Sequence, residues 1–142
     1  MEIGERIQAW KENHTKIPDG NYVLRCVHAG KFKYHSVIKI VLFFEVFESG
    51  EFEGKLIPMF FTLPSNGKIP QGSKYFKYWV MVNGWKRPER NRLKEMPISR
   101  FFGPGFNGVV VTVKKDSAGE DQNEIFHYSK IESLTLLLED TF

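Results

Sequence analysis

Between positions 37 and 47 the chain reads VIKIVLFFEVF, and a run like this has few ways to fold. Ile38, Ile40, Leu42, Phe44 and Val46 alternate with Val37, Lys39, Val41, Phe43, Glu45 and Phe47. β-Branched and aromatic residues at a period of two specify a strand, because successive side chains project to opposite faces of a sheet. The first set is wholly apolar and belongs to a core. The second mixes charge and rings, as on a half-exposed face.

The rest of the chain reads around that strand. Residues 21–28 alternate Tyr22, Leu24 and Cys26 against Val23, Arg25 and Val27, which predicts a first strand. Residues 29–36, AGKFKYHS, read as a loop, and residues 48–54, ESGEFEG, as an acidic turn. A third strand follows over 55–63, where Pro58 marks an edge or a bulge. Asn66-Gly67, Pro70 and Gly72 make residues 64–72 a loop. Ser73 is placed to cap a helix on which Tyr75, Tyr78, Trp79 and Val82 share one face, with Gly84 just past its end. Pro88, Pro97 and Pro104 keep residues 85–106 largely irregular, with a helical turn around 90–94. Residues 109–115 read as a fourth strand. Residues 124–138 read as a fifth, bent near Ser129 or Ser133. Before all of these, Ile3, Ile7 and Trp10 at helical spacing predict a short amphipathic helix, and Pro18 and Gly20 a turn.

Three strands, a helix and two strands is the order of the OB-fold. The expected architecture is therefore mainly β: a five-stranded OB-like Greek-key barrel over 20–138, with one helix between strands three and four. An N-terminal helix and turn precede it over 1–19, and an acidic tip ending in Phe follows over 139–142. Other small barrels and α+β sandwiches share this string.

A chain of 142 residues fits one domain with a self-sufficient core. It has no apolar run of about 18 residues, so no membrane span is expected. The charged start MEIGERIQAWKENH does not read as a signal peptide. The lone Cys26 excludes an internal disulfide and fits a reducing, cytoplasmic setting.

Several stretches resemble the small OB-fold single-stranded-DNA-binding proteins of phages and mobile elements, over roughly residues 20–135. They are VLFFEVFESGEFEGKLI, the helix after it, FFGPGFNGVVVTVKKD and FHYSKIESL. The resemblance implies a cytoplasmic protein that binds single-stranded DNA during replication, recombination or transfer of a mobile element. The end of the chain resembles the acidic tip with a terminal Phe by which many such proteins dock replication partners. That likeness marks Glu139, Asp140 and Phe142 as partner-binding, on an acidic run that is short here.

In an OB-fold the ligand crosses strands two and three between two hairpin loops. The first loop would offer Lys31, Phe32, Lys33, Tyr34 and His35, and the mixed strand face would extend the track through Lys39 and Phe43. Lysines neutralise phosphates and exposed rings stack bases. The second loop would offer Lys114 and Lys115, followed by the acids Asp116, Glu120, Asp121 and Glu124.

Residues 73–102 hold eight Lys/Arg against Glu89 and Glu95, a net of +6 in a chain of net +3. Within that segment Lys86, Arg87, Arg90, Arg92, Lys94 and Arg100 form a second basic region suited to phosphate. A solvated connection with scattered charge would look the same. No catalytic residues, cofactor or metal site are expected, since His14, His28, His35 and His127 lack metal-ligand spacing. The closest pair, His28 and His35, would face each other across a hairpin. The alternative function is a protein-interaction module of a mobile element that binds or inhibits a host protein. It would use the acidic turn and the basic segment.

Overall fold

The computed structural model describes residues 4–5, 16–64, 66, 68–88, 96–116 and 125–137, with the side chains of residues 34, 114–116 and 125–127 left out. Gly4 and Glu5 are helical. The rest of the expected N-terminal amphipathic face, Ile3, Ile7 and Trp10, lies outside the described residues.

Five antiparallel strands form one sheet: β1 (Gly20–Tyr34), β2 (Val37–Val46), β3 (Leu56–Pro64), β4 (Gly105–Asp116) and β5 (Ile125–Leu136). Their spatial order is β3-β2-β1-β4-β5. One helix, α1 (Lys74–Val82), and a 3-10 turn (Ile98–Phe101) connect β3 to β4. The mainly β character, the five strands and the position of the helix are as expected.

The sheet is open, where a closed barrel was expected. Among the described residues no ladder joins β3 to β5, although the Phe60 and Tyr128 rings of these two strands meet edge to face at 6.5 Å. Pro58 supplies a physical reason. A proline inside a paired strand must turn its missing N–H away from its partner, so the outer edge of β3 is short of a donor. Phe61 of β3, Tyr75 of α1 and Phe101 of the 3-10 turn form an aromatic triad with centroids 5.6–6.3 Å apart.

The first hairpin departs further from expectation. The predicted loop over 29–36 is strand down to Tyr34, and Tyr34 pairs with Val37 across a two-residue turn of His35 and Ser36. His35 takes φ 55°, a left-handed conformation that His enters more readily than most side chains. His28 and His35 consequently lie seven residues apart along one strand and its turn, and do not face each other across the hairpin. A β-bulge at Val27 shifts the register between Cys26 and His28. A second register shift, on β5 between the partners of Val109 and Val110, falls at Glu132, beside Ser133, one of the two positions where a bend was expected.

The core follows the expected alternation. Ile38, Ile40, Leu42, Phe44 and Val46 are all buried, facing Ile57, Met59, Phe61 and Leu63 of β3. Helix α1 lays Tyr75, Phe76, Tyr78, Trp79 and Met81 on this core. The Ser73 hydroxyl accepts the Phe76 N–H at 3.2 Å, the predicted N-cap. The Tyr75 hydroxyl and the Trp79 indole donate to the carbonyls of Met96 and Pro97 at 2.7 and 3.0 Å, so their polar ends are satisfied and pin the segment before the 3-10 turn.

Two details fix the sheet's other half. Gly108 of β4 is a point of close approach: a Cβ there would lie 2.3 Å from Leu24 Cδ1 and 3.2 Å from Leu134 Cδ2. Ser129 of β5 is fully buried; its hydroxyl accepts the Ile17 N–H at 2.8 Å and donates to the Ile17 carbonyl at 3.2 Å. That pair anchors the segment entering β1.

Cys26 is buried, and burial pushes its thiol up to about 12. The thiolate is the reactive form. Native protein at pH 8 should therefore react with a disulfide reagent such as DTNB far more slowly than unfolded protein does. Equal rates would show that β1 opens readily at this point.

Candidate nucleic-acid interface

The outer face of the sheet is built by the alternation that fills the core. On β2 it carries Val37, Lys39, Val41, Phe43 and Glu45, and on β3 Leu56, Pro58, Phe60 and Thr62. On β1 the bulge at Val27 decides which residues join them. Without it, Phe32 would keep the parity of Leu24 and Cys26 and face inward. With it, Phe32 pairs with Lys39 on the outer face and is 53 % exposed.

Register then gives rows across three strands. Phe32, Lys39 and Thr62 form one row, and Gly30, Val41 and Phe60 the next. Lys39 Nζ donates to Thr62 Oγ1 at 2.9 Å, which holds the ammonium on the face. Phe60 is 41 % exposed and touches Tyr128 of β5, whose phenol burial pushes up in pKa. From ordinary strand spacings, Phe32 and Phe60 stand about 12 Å apart, with Lys39 in the row of Phe32 on the strand between them. Bases of an extended strand can occupy both rings while its backbone passes the cation.

The site predicted from sequence is partly assembled here. Lys31 and Lys33 are exposed, but alternation places them on the side opposite Phe32. Lys31 lines a cavity of about 140 Å³ with Ile40, Leu63, Ile69 and Tyr75. His35 occupies the turn. Tyr34 contributes its backbone pairing, and its side chain lies outside the described residues.

Phe43, expected as an exposed ring of the track, is buried. It packs with Leu56 against Val27 and Val41, and the His28 ring lies 6.3 Å away. The bulge turns both Val27 and His28 outward, which covers it. Glu45, on the face read as half exposed, is likewise buried and paired with Arg25 directly across the ladder; the Arg25 guanidinium also stacks 4.2 Å over the Phe47 ring. That end of the face is therefore closed by its own partners.

The second basic region is described at its two ends. Lys86 and Arg87 are exposed after α1, and Arg100 is exposed in the 3-10 turn. Arg90, Arg92 and Lys94 lie outside the described residues. The helix end itself is well fixed: Gly84 takes φ 70°, the Trp85 N–H donates to the Val80 carbonyl at 2.8 Å, and Asn83 Nδ2 donates to the Lys86 carbonyl at 3.0 Å. This turn holds Trp85 70 % exposed beside the two cations. Lys114 and Lys115 are in β4, paired in backbone with His127 and Phe126, and their side chains are outside the described set. Glu139, Asp140 and Phe142 also lie outside it.

Sequence reasoning missed Phe60 and Tyr128. For Phe60 a signal was present: in MFFT, Met59 and Phe61 share one parity, so Phe60 must oppose them. Tyr128 had none, because its role depends on β5 coming close to β3. Among the described residues no group of three His, Cys, Asp or Glu side chains is placed to hold a metal, and no helix is long and apolar enough to cross a membrane.

No family model, curated protein or solved structure matches this chain.

Proposed function

We propose that this protein binds single-stranded DNA non-catalytically and with little sequence preference, in the replication, recombination or transfer of a mobile element. The observation that carries the reading is the pair of exposed rings, Phe32 and Phe60, on one sheet face with Lys39 on the strand between them and Tyr128 at the seam. Stacking on such rings tolerates any base, and the cations supply a sequence-independent hold on phosphate. Strand order supports an OB-like Greek-key frame: β4 returns past the β1-β2-β3 meander to lie beside β1, and β5 brings its edge toward β3. The C-terminal tip then serves as a docking point for a replication or recombination protein.

Fluorescence anisotropy with labelled oligothymidylate and a duplex of equal length, each over a salt series, tests the reading. Single strands should bind more tightly than duplex by about tenfold or more, because duplex bases cannot reach the rings. The single-strand affinity should fall with log[salt] at a slope of about −0.7 per phosphate held. Equal affinity for both would reduce the face to a simple polyanion patch. No binding at low salt would instead favour a protein-interaction module.

A further inference from the structure

Beyond the ring track, three lysines gather at the seam between β3 and β5. Helix α1 exposes Lys74 and Lys77, one turn apart. Strand β5 places Lys130 two residues after Tyr128, on the same outer parity, while Ser129 and Ile131 between and beyond them are buried. Lys74 Nζ sits 5.5 Å over the Phe61 ring and Lys77 Nζ 5.1 Å over the Tyr78 ring. Both helix lysines are thus laid on aromatic faces, which restricts them before any ligand arrives.

None of the three ammonium groups forms an ion pair among the described residues. The charged groups acting on Lys74 are Lys130, Glu132 and Lys77, two cations against one acid. Partial burial, then Lys130, and finally Lys77 push its pKa down, against the upward pull of Glu132. Like charges held together with one acid to balance them repel, and a bound anion relieves that repulsion.

We infer that Lys74, Lys77 and Lys130 form a phosphate grip at the β3-β5 seam. It holds the backbone of the strand whose bases stack on Phe60 and Tyr128. This inference rests on the single-strand reading above. It adds a site distinct from the hairpin lysines and from the 86–100 segment, and it carries the strand from the sheet face onto α1.

The test compares the full-length K74Q/K77Q/K130Q variant with wild type in two assays. In oligothymidylate anisotropy over a salt series, the slope of log affinity should become shallower by about two, at 0.7 per phosphate. Affinity near 0.1 M salt should drop about 100-fold on the same arithmetic. In thermal melts, added tripolyphosphate should raise the wild-type midpoint and leave that of the variant unmoved, while both fold alike without it. Wild-type slope and affinity in the variant would overturn the grip and leave single-strand binding standing. A tripolyphosphate shift confined to wild type, with no strand bound by either protein, would keep the anion site and overturn the single-strand reading. No shift and no binding in wild type would overturn both.

Discussion

Phe61→Ala should lower stability by about 3–5 kcal/mol, the cost of emptying a buried aromatic site. Phe60→Ala, one residue earlier, should leave the melting temperature almost unchanged. The two rings are adjacent in sequence and opposite in parity. Phe61 is 3 % exposed and joins Tyr75 and Phe101 in the triad that ties β3 to α1 and to the 3-10 turn. The triad seats α1 and the 3-10 turn on the edge strand β3. In a domain of this size the loss corresponds to a midpoint roughly 10 °C lower, or more. Thermal melts followed by circular dichroism would read it. A Phe61→Ala protein as stable as wild type would mean that the triad does not hold α1 and the 3-10 turn on β3.

The second large effect concerns binding. Each of Phe32 and Phe60 should contribute about 1–3 kcal/mol to single-strand affinity, the usual worth of one stacked base. Removing both in F32A/F60A should weaken binding by more than about 30-fold, taking the lower end twice. The two rings stand on β1 and β3 with β2 between them, so their losses should add to within a few tenths of a kcal/mol. The melting temperature should hold, since both rings are about half exposed and neither belongs to the main core. If F32A/F60A unfolds, these rings are structural and the track is misplaced.

Much of the frame was legible because it rests on local rules. The period-two run over 37–47 gave the central strand and its core face, Pro58 gave an edge strand, and Ser73 gave the start of α1. What escaped depends on long-range pairing. Residues 29–34 carry Gly30 and two lysines, a loop-like composition, yet β2 is long enough to pair with them to the end and draws them into β1. The bulge at Val27 has no signature in the sequence. It reverses the parity of every residue after it, and so it brings Phe32 to the outer face and Lys31 and Lys33 to the inner one, places Val27 and His28 over Phe43, and buries a ring that composition placed in the open. Likewise, the closeness of β5 to β3 makes Tyr128 and Lys130 neighbours of Phe60 and Lys74, a grouping that no linear motif records.

The most direct measurement is a salt titration of oligothymidylate binding by F32A/F60A beside wild type. Stacking is insensitive to counterions, whereas phosphate contacts set the slope. The two plots of log affinity against log[salt] should therefore be parallel, with the variant displaced downward by about 1.5 log units or more. Superimposed lines would contradict the claim that the outer face, with Phe32 and Phe60 at its centre, is where this protein holds single-stranded DNA.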